Sequence, residues 1–346
     1  MRSDEETIIA GAGLATVLQQ VRDLVRPLAS GQYVEDWGAR ATAIGSLSDT
    51  YYFFARENGH WSNEFATSSL RPFSLTPTRR SLVEAVGDVL DGRSSPSLNL
   101  DFVELTGQER DVVEAAAARL DAAEKIVISA SARSLHDLDN PPELTLELMN
   151  LLYEEALHLE AVGRLLGIDH AAREWIPDDR MANWDLVRGC STALEYMIIE
   201  HCLYEGRGTI ASAAGVFELE RAGASNSVLA VMETISMQEA AHNISGFRWL
   251  KLLDTGSEED ALSIAETVRR FIAIEPLPEA DGSSRSAKKH FPLYLFQKYR
   301  ESGDFYKVKQ EIVAASRASR STGEPGIPAA EIYQAADQVL AWCGLS

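Results

Sequence analysis

Two short stretches of the sequence share one pattern, YEEALH at residues 153–158 and MQEAAH at residues 237–242. Each contains Glu-x-x-His, and residues three apart in an α-helix lie on one face, one turn from each other. One helix can therefore offer a carboxylate oxygen and an imidazole nitrogen to a single metal ion. Both stretches lie in long segments with the 3.6-residue apolar period, which predicts helices there.

The rest of the chain has the same helical character. Ala, Leu, Glu and Arg dominate and strand-like alternation is scarce, so we predict an all-α fold. Pro141 and Pro142 end one helix, and Gly223 is a typical residue for the end of another. We predict one all-helical domain whose central bundle covers residues 105–255, with further helices on both sides. The predicted helices are 5–27, 36–57, 78–91, 109–136, 143–167, 183–222, 226–253, 258–274, 287–301, 304–318 and 328–343.

Composition excludes several classes of partner and location. Lys and Arg total 32 and Asp and Glu total 52, a net charge of −20, which argues against binding nucleic acid or an anionic membrane. The three cysteines lack metal-site spacing and indicate a reduced environment. The acidic N-terminus lacks the apolar run of a signal peptide, and no segment is apolar enough to span a membrane. We therefore expect a soluble, cytoplasmic protein.

The helix pattern predicts partners for each Glu-x-x-His pair. If the chain turns near residue 140, Glu155 and His158 lie level with residue 124 on the preceding helix, and Glu124 is there. If it turns again near 223–224, Glu239 and His242 lie level with residue 206, next to Glu205. The two Glu-to-Glu separations, 31 and 34 residues, are similar. The six candidate metal ligands are Glu124, Glu155, His158, Glu205, Glu239 and His242.

Two other acids compete with Glu205 on the same predicted helix, Glu195 and Glu200. Glu200 is five residues from Glu205, about 7.5 Å along an α-helix axis at 1.5 Å per residue. Both carboxylates therefore cannot lie level with the opposite ligands, and the height favours Glu205.

One Glu from each of two helices and Glu-x-x-His from each of two others is the set found in ferritin-like di-iron and di-manganese carboxylate proteins. The sequence resembles that superfamily over its central 150 residues. The resemblance implies a single domain, residues 1–346, built as a ferritin-like four-helix bundle with additional N- and C-terminal helices. It also implies two iron ions (Fe/Fe, with Mn/Fe as the other option) that react with O2. By the same resemblance, Glu154 and Gln238 would each orient a ligand histidine of the opposite helix.

Three further features surround Glu205. The spacing of Thr209 resembles that in bacterial multicomponent monooxygenases, where a threonine helps manage dioxygen and protons; the alternative is a threonine bonded to its own helix backbone. Gly206 and Gly208 would leave space for substrate or mark a π-bulge. His201 is a candidate extra ligand, as in the arylamine N-oxygenases, although their extra histidine precedes the last Glu-x-x-His, where this chain has Ile235.

The nearest resemblance in function is to N-oxygenating, nitro- or azoxy-forming di-iron enzymes of natural-product pathways. It implies an oxygenase that acts on a small amine, hydroxylamine or hydrazine and draws on an external electron donor. The helices outside the bundle would build a substrate pocket or the face of a homodimer. Two alternatives stay open: a di-iron C–H hydroxylase or desaturase of a small molecule, and a ferritin-like metal-binding bundle without turnover.

Overall fold

The computed structural model describes residues 4–57, 107–166, 174–224 and 226–345. Within these ranges the chain forms helices joined by turns and short loops, and it forms no strand. The all-α class is therefore confirmed for the described residues. The helix predicted at 78–91 lies outside them.

The helices begin and end within four residues of the predicted bounds wherever one predicted helix corresponds to one observed helix. Two short 3₁₀ turns, Leu28–Ser30 and Asp178–Arg180, accompany them. The helices are α1 Asp4–Val25, α2 Trp37–Glu57, α3 Gly107–Asp137, α4 Pro142–Leu166, α5 Met181–Arg188, α6 Ala193–Tyr196, a π-helix Met197–Tyr204, α7 Glu205–Arg221, α8 Asn226–Leu253, α9 Glu258–Ile274, α10 Ser284–Ser302, α11 Phe305–Thr322 and α12 Ala329–Trp342.

The single helix predicted at 183–222 is wrong, because the chain leaves the helix after α5 and begins a new one at α6. The N–H of Gly189 closes α5. Thr192 then caps α6 by accepting a bond from the N–H of Glu195, whose carboxylate accepts from the N–H of Ser191 at 2.8 Å. Thr-x-x-Glu is a capping-box pattern that could have been recognised in the sequence. Its role in the cap explains why Glu195 lies apart from the candidate ligands.

The contacts divide the chain into two compact units. Of the described residues, unit 1 comprises 4–57, 118–166 and 174–184, and unit 2 comprises 107–117, 185–224 and 226–345. In unit 1, α2 packs against both α1 and α4. In unit 2, α7 packs against α8 and α11, and α10 packs against α12. The ferritin-like bundle and the single domain stay predictions.

Unit 1 packs α4 against α2, and Gly45 of α2 lies directly against Tyr153 of α4. A Cβ atom added there would lie 2.7 Å from the ring of Tyr153, so only glycine fits without a shift of the ring. A second buried contact in this unit joins Trp175 to α3, where its indole N–H donates to the Ser129 hydroxyl at 2.9 Å. These contacts fix α3 and α4, the helices that carry the first candidate ligands.

Unit 2 packs α8 against α10 through aromatic rings. The ring of Phe247 lies 6.1 Å from those of Phe296 and Tyr299, measured between centroids.

No helix in the described ranges is both long and apolar enough to cross a membrane.

The contact at Gly45 gives a stability test. We expect Gly45→Ala to lower the free energy of unfolding by about 1–3 kcal/mol, the usual cost of overpacking a core, because the new methyl group would overlap the Tyr153 ring. The matched control is Gly38→Ala on the same helix, where nothing lies within 4 Å of the added Cβ. Chemical denaturation measures both; a Gly45→Ala variant as stable as the control would contradict the close α2–α4 contact.

Candidate metal centre

Unit 1 holds a buried cluster of two carboxylates and one imidazole. Glu124 lies on α3, and Glu155 and His158 lie on α4; each is at most 2% exposed. The His158 Nδ1 atom lies 2.8 Å from Glu155 Oε2 and 3.4 Å from Glu124 Oε1. The ligand atoms of the three residues all lie within 4.8 Å of one another, close enough to bind one metal ion. The structure thus brings together the three residues that the helix register placed level.

The electrostatics of this cluster favour a cation. Burial raises the pKa of Glu124, and the charge of Glu155 raises it further. Burial acts to lower the pKa of His158, but the nearby Glu155 and Glu124 carboxylates outweigh it and hold that pKa well above its usual range. Both shifts express the cost of placing two carboxylates together away from water. A metal ion would supply the missing positive charge and would displace the protons that these groups otherwise hold.

Unit 2 holds a second cluster that also consists of two glutamates and one histidine. Glu205 is the first residue of α7, Glu239 and His242 lie on α8, and all three are buried. The His242 Nδ1 atom lies 3.9 Å from Glu205 Oε1. A Cβ added to Gly208 would lie 2.8 Å from Glu239 Oε2 and 3.4 Å from Glu205 Oε2, so both carboxylates border one point. The structure therefore gathers the predicted ligands of α7 and α8 as well.

The two glycines after Glu205 are closely packed, and the prediction that they leave space for substrate is wrong. Gly208 borders the two carboxylates, and a Cβ on Gly206 would lie 3.2 Å from the Pro292 side chain on α10. Gly206 therefore allows α10 to approach α7, and Gly208 allows the Glu239 carboxylate to approach Glu205.

A π-helix precedes α7, so the predicted π-bulge is present but lies before the glycines. The N–H of Glu205 donates to the carbonyl of Glu200, a bond that spans five residues. The height argument against Glu200 assumed an α-helix. In the π-helix the backbone bond joins Glu205 to the buried Glu200, which therefore lies about one turn away. Glu205 is nevertheless the residue whose carboxylate lies near His242.

His201 also lies in the π-helix and is 1% exposed. Its ring meets Tyr196 edge-on, with centroids 5.5 Å apart. Among the described residues, the groups of candidate ligands within 4.8 Å of one another do not include His201. The structure therefore does not bring it into the cluster.

The remaining predicted site residues adjoin the ligands. Glu154 and Gln238 are each 1% exposed, directly before Glu155 and Glu239; their role in orienting histidines stays a prediction. The hydroxyl of Thr209 donates to the backbone carbonyl of Glu239 at 3.2 Å. It therefore bonds α7 to α8 and not its own helix backbone; its role with dioxygen and protons stays a prediction.

Sequence reasoning missed two residues of α8 that contact the π-helix, Asn243 and Gly246. The available signals were weak: a polar residue directly after His242, and a glycine inside a long helix, where it costs about 1 kcal/mol.

Comparison of this chain with protein-family models, curated proteins and solved structures gives no match. The two clusters themselves therefore carry the functional argument.

Gly208 provides a test of the second cluster. We expect Gly208→Ala to weaken binding of one metal ion by at least about tenfold, the usual effect of disturbing a residue that supports a ligand, because the methyl group would displace the Glu239 carboxylate. The control is Gly215→Ala, also on α7, where nothing lies within 4 Å of the added Cβ. Titration with Co²⁺, followed by visible absorption, measures both; equal affinities would show that Gly208 does not shape the site.

Proposed function

We propose that this protein is a non-heme di-iron oxygenase that uses dioxygen to N-oxygenate a small amine, hydroxylamine or hydrazine. The observation that supports it best is the pair of buried clusters, each with one glutamate from one helix and Glu-x-x-His from the next: Glu124 with Glu155 and His158, and Glu205 with Glu239 and His242. In this proposal the clusters together bind two iron ions, with Mn/Fe as the other metal pair. The proposed ligands are Glu124, Glu155, His158, Glu205, Glu239 and His242.

The donor set fits two such ions. Carboxylate oxygens and imidazole nitrogens suit iron and manganese, which are harder ions than those that thiolates select. Four ionised glutamates also carry the charge that balances two divalent cations, so the loaded clusters would together carry no net charge from ligands and ions. Without the cations, four buried carboxylates would cost several kcal/mol each unless they kept protons.

The protein groups have distinct tasks in this proposal. Two ferrous ions, when bound, would supply electrons and open coordination positions for dioxygen. The four carboxylates would hold the ions and balance their charge. The buried apolar residues of α4 and α8 would exclude water and so prevent loss of the oxidising equivalents.

The hydrogen bond of Thr209 favours nitrogen over carbon as the atom attacked. A nitrogen lone pair is a nucleophile that accepts oxygen directly, whereas an unactivated C–H bond requires cleavage of the O–O bond, which needs a placed proton. Thr209 is the threonine that the resemblance assigned to that proton, and its hydroxyl donates to the Glu239 carbonyl. N-oxygenation does not depend on a proton from this residue.

The ligand set gives the first functional test. Loaded with Fe²⁺ without oxygen, the protein is expected to bind about two ions per chain. His158→Ala and His242→Ala should each lose at least one ion and keep their helix content. The control is His136→Ala near the end of α3, where the ring contacts Asp137 at 2.6 Å. Iron analysis measures the ions bound by the three variants, and circular dichroism measures their helix content. Two ions bound in both His158→Ala and His242→Ala would refute the six-ligand assignment.

The substrate class gives a second functional test. We expect hydroxylamines and hydrazines to accelerate oxygen uptake by the iron-loaded protein and to yield nitro or azoxy products. Thr209→Val should lower the rate less than about tenfold, since loss of a true general acid costs about 10²–10⁴. An oxygen electrode measures the rate of oxygen uptake, and mass spectrometry identifies the products. Hydroxylated hydrocarbon products with a hundredfold loss in Thr209→Val would indicate C–H hydroxylation; two bound irons without any turnover would indicate a metal-binding bundle.

A further inference from the structure

The π-helix Met197–Tyr204 receives two hydrogen bonds from a single side chain of α8. The Asn243 Nδ2 atom donates to the backbone carbonyl of His201 at 2.7 Å and to that of Cys202 at 3.2 Å. A side-chain amide has two N–H groups, so one asparagine can make both bonds. Asn243 is fully buried, and it therefore attaches α8 to the middle of the π-helix.

A glycine one turn later in α8 permits this attachment. A Cβ added to Gly246 would lie 2.6 Å from the carbonyl carbon of His201 and 2.7 Å from its Cβ. Two of the three nearest atoms belong to the backbone, so no side chain could rotate away to make room. Gly246 thus lets the backbones of α8 and the π-helix touch, which brings the Asn243 amide within bonding distance.

The position of the contact connects it to the metal ligands. Asn243 directly follows His242 and lies four residues after Glu239, while the π-helix ends at Glu205. A π-helix holds one residue more per hydrogen-bonded turn than an α-helix. If the segment reverted to an α-helix, the residues on one side of it would shift by one position, a rotation of about 100°. If α7 were the side that shifted, Glu205 would no longer face Glu239 and His242.

Long π-helices are rare, so this one needs tertiary contacts to persist. We propose that Asn243 and Gly246 are positioning residues that hold the π-helix in register and thereby set Glu205 opposite the ligands of α8. This inference rests on the proposed function where it concerns metal binding. The statement about the π-helix concerns unit 2 alone and is testable in the metal-free protein.

The test compares three variants with the wild type. Asn243→Asp keeps the size of the side chain but removes both N–H donors, and Gly246→Ala keeps the amide but adds the excluded methyl group. The matched control is Asn150→Leu, which replaces another fully buried asparagine whose amide donates to its own helix at Leu146. Hydrogen exchange of residues 197–206 is measured without metal, and Co²⁺ stoichiometry with its visible spectrum is measured on the same samples.

We expect Asn243→Asp and Gly246→Ala to exchange these amides at least about tenfold faster. Their Co²⁺ stoichiometry should fall from about two to about one per chain, with a changed spectrum, while circular dichroism keeps the overall helix content. The control should match the wild type in both measurements. Because the two substitutions act through different contacts, a folded sample of either one is sufficient for the test.

Different results would contradict the positioning role and the proposed function. Unchanged exchange and an unchanged Co²⁺ spectrum in a folded variant would overturn the positioning role. A wild type that binds no metal would overturn the proposed function, and the exchange data would still decide whether Asn243 and Gly246 hold the π-helix.

Discussion

The cost of burying carboxylates together is the constraint on which the rest of this structure depends. In unit 1, Glu124 and Glu155 lie around His158 with almost no exposure to water. Burial and the charge of Glu155 raise the pKa of Glu124, and the two carboxylates raise the pKa of His158 although its burial acts to lower it. Such groups stay buried only if protons or a cation neutralise them. Long regular helices with apolar flanks are what keep water away from the cluster.

Unit 2 makes room for its buried carboxylates, and for the helices around them, with glycines placed inside helices. Gly208 leaves room for the carboxylates of Glu205 and Glu239, Gly206 admits α10, and Gly246 admits the π-helix. Each glycine costs about 1 kcal/mol of helix stability relative to alanine. The close contacts that they permit, through Asn243 and the aromatic packing of α8, offset that cost. The sequence therefore gives up local helix propensity at the positions where the site needs space.

Most of the fold was predictable because helix periodicity and turn residues are local signals. The register argument succeeded for Glu124 because the short turn near residue 140 joins two regular α-helices. Counting from the second turn back to Glu205 crosses only α7, which is also regular. The argument against Glu200 crossed the π-helix and therefore used the wrong rise per residue. Gly206 and Gly208 predicted a π-bulge but not its position at residues 197–204, because the stability of the π-helix depends on Asn243 and Gly246, more than forty residues away in sequence.

The two clusters differ in a way that suggests a division of roles. The unit 1 cluster lies on regular helices, with its imidazole 2.8 Å from one carboxylate and 3.4 Å from the other. In the unit 2 cluster the imidazole is 3.9 Å from the Glu205 carboxylate, and Glu205 follows directly on a π-helix held by contacts from α8. A ligand at the end of such a segment can move by a small adjustment of the helix, whereas a ligand within a regular α-helix cannot. Under the proposed function, we therefore expect changes of coordination at Glu205, while Glu124, Glu155 and His158, which lie within regular α-helices, keep a fixed geometry.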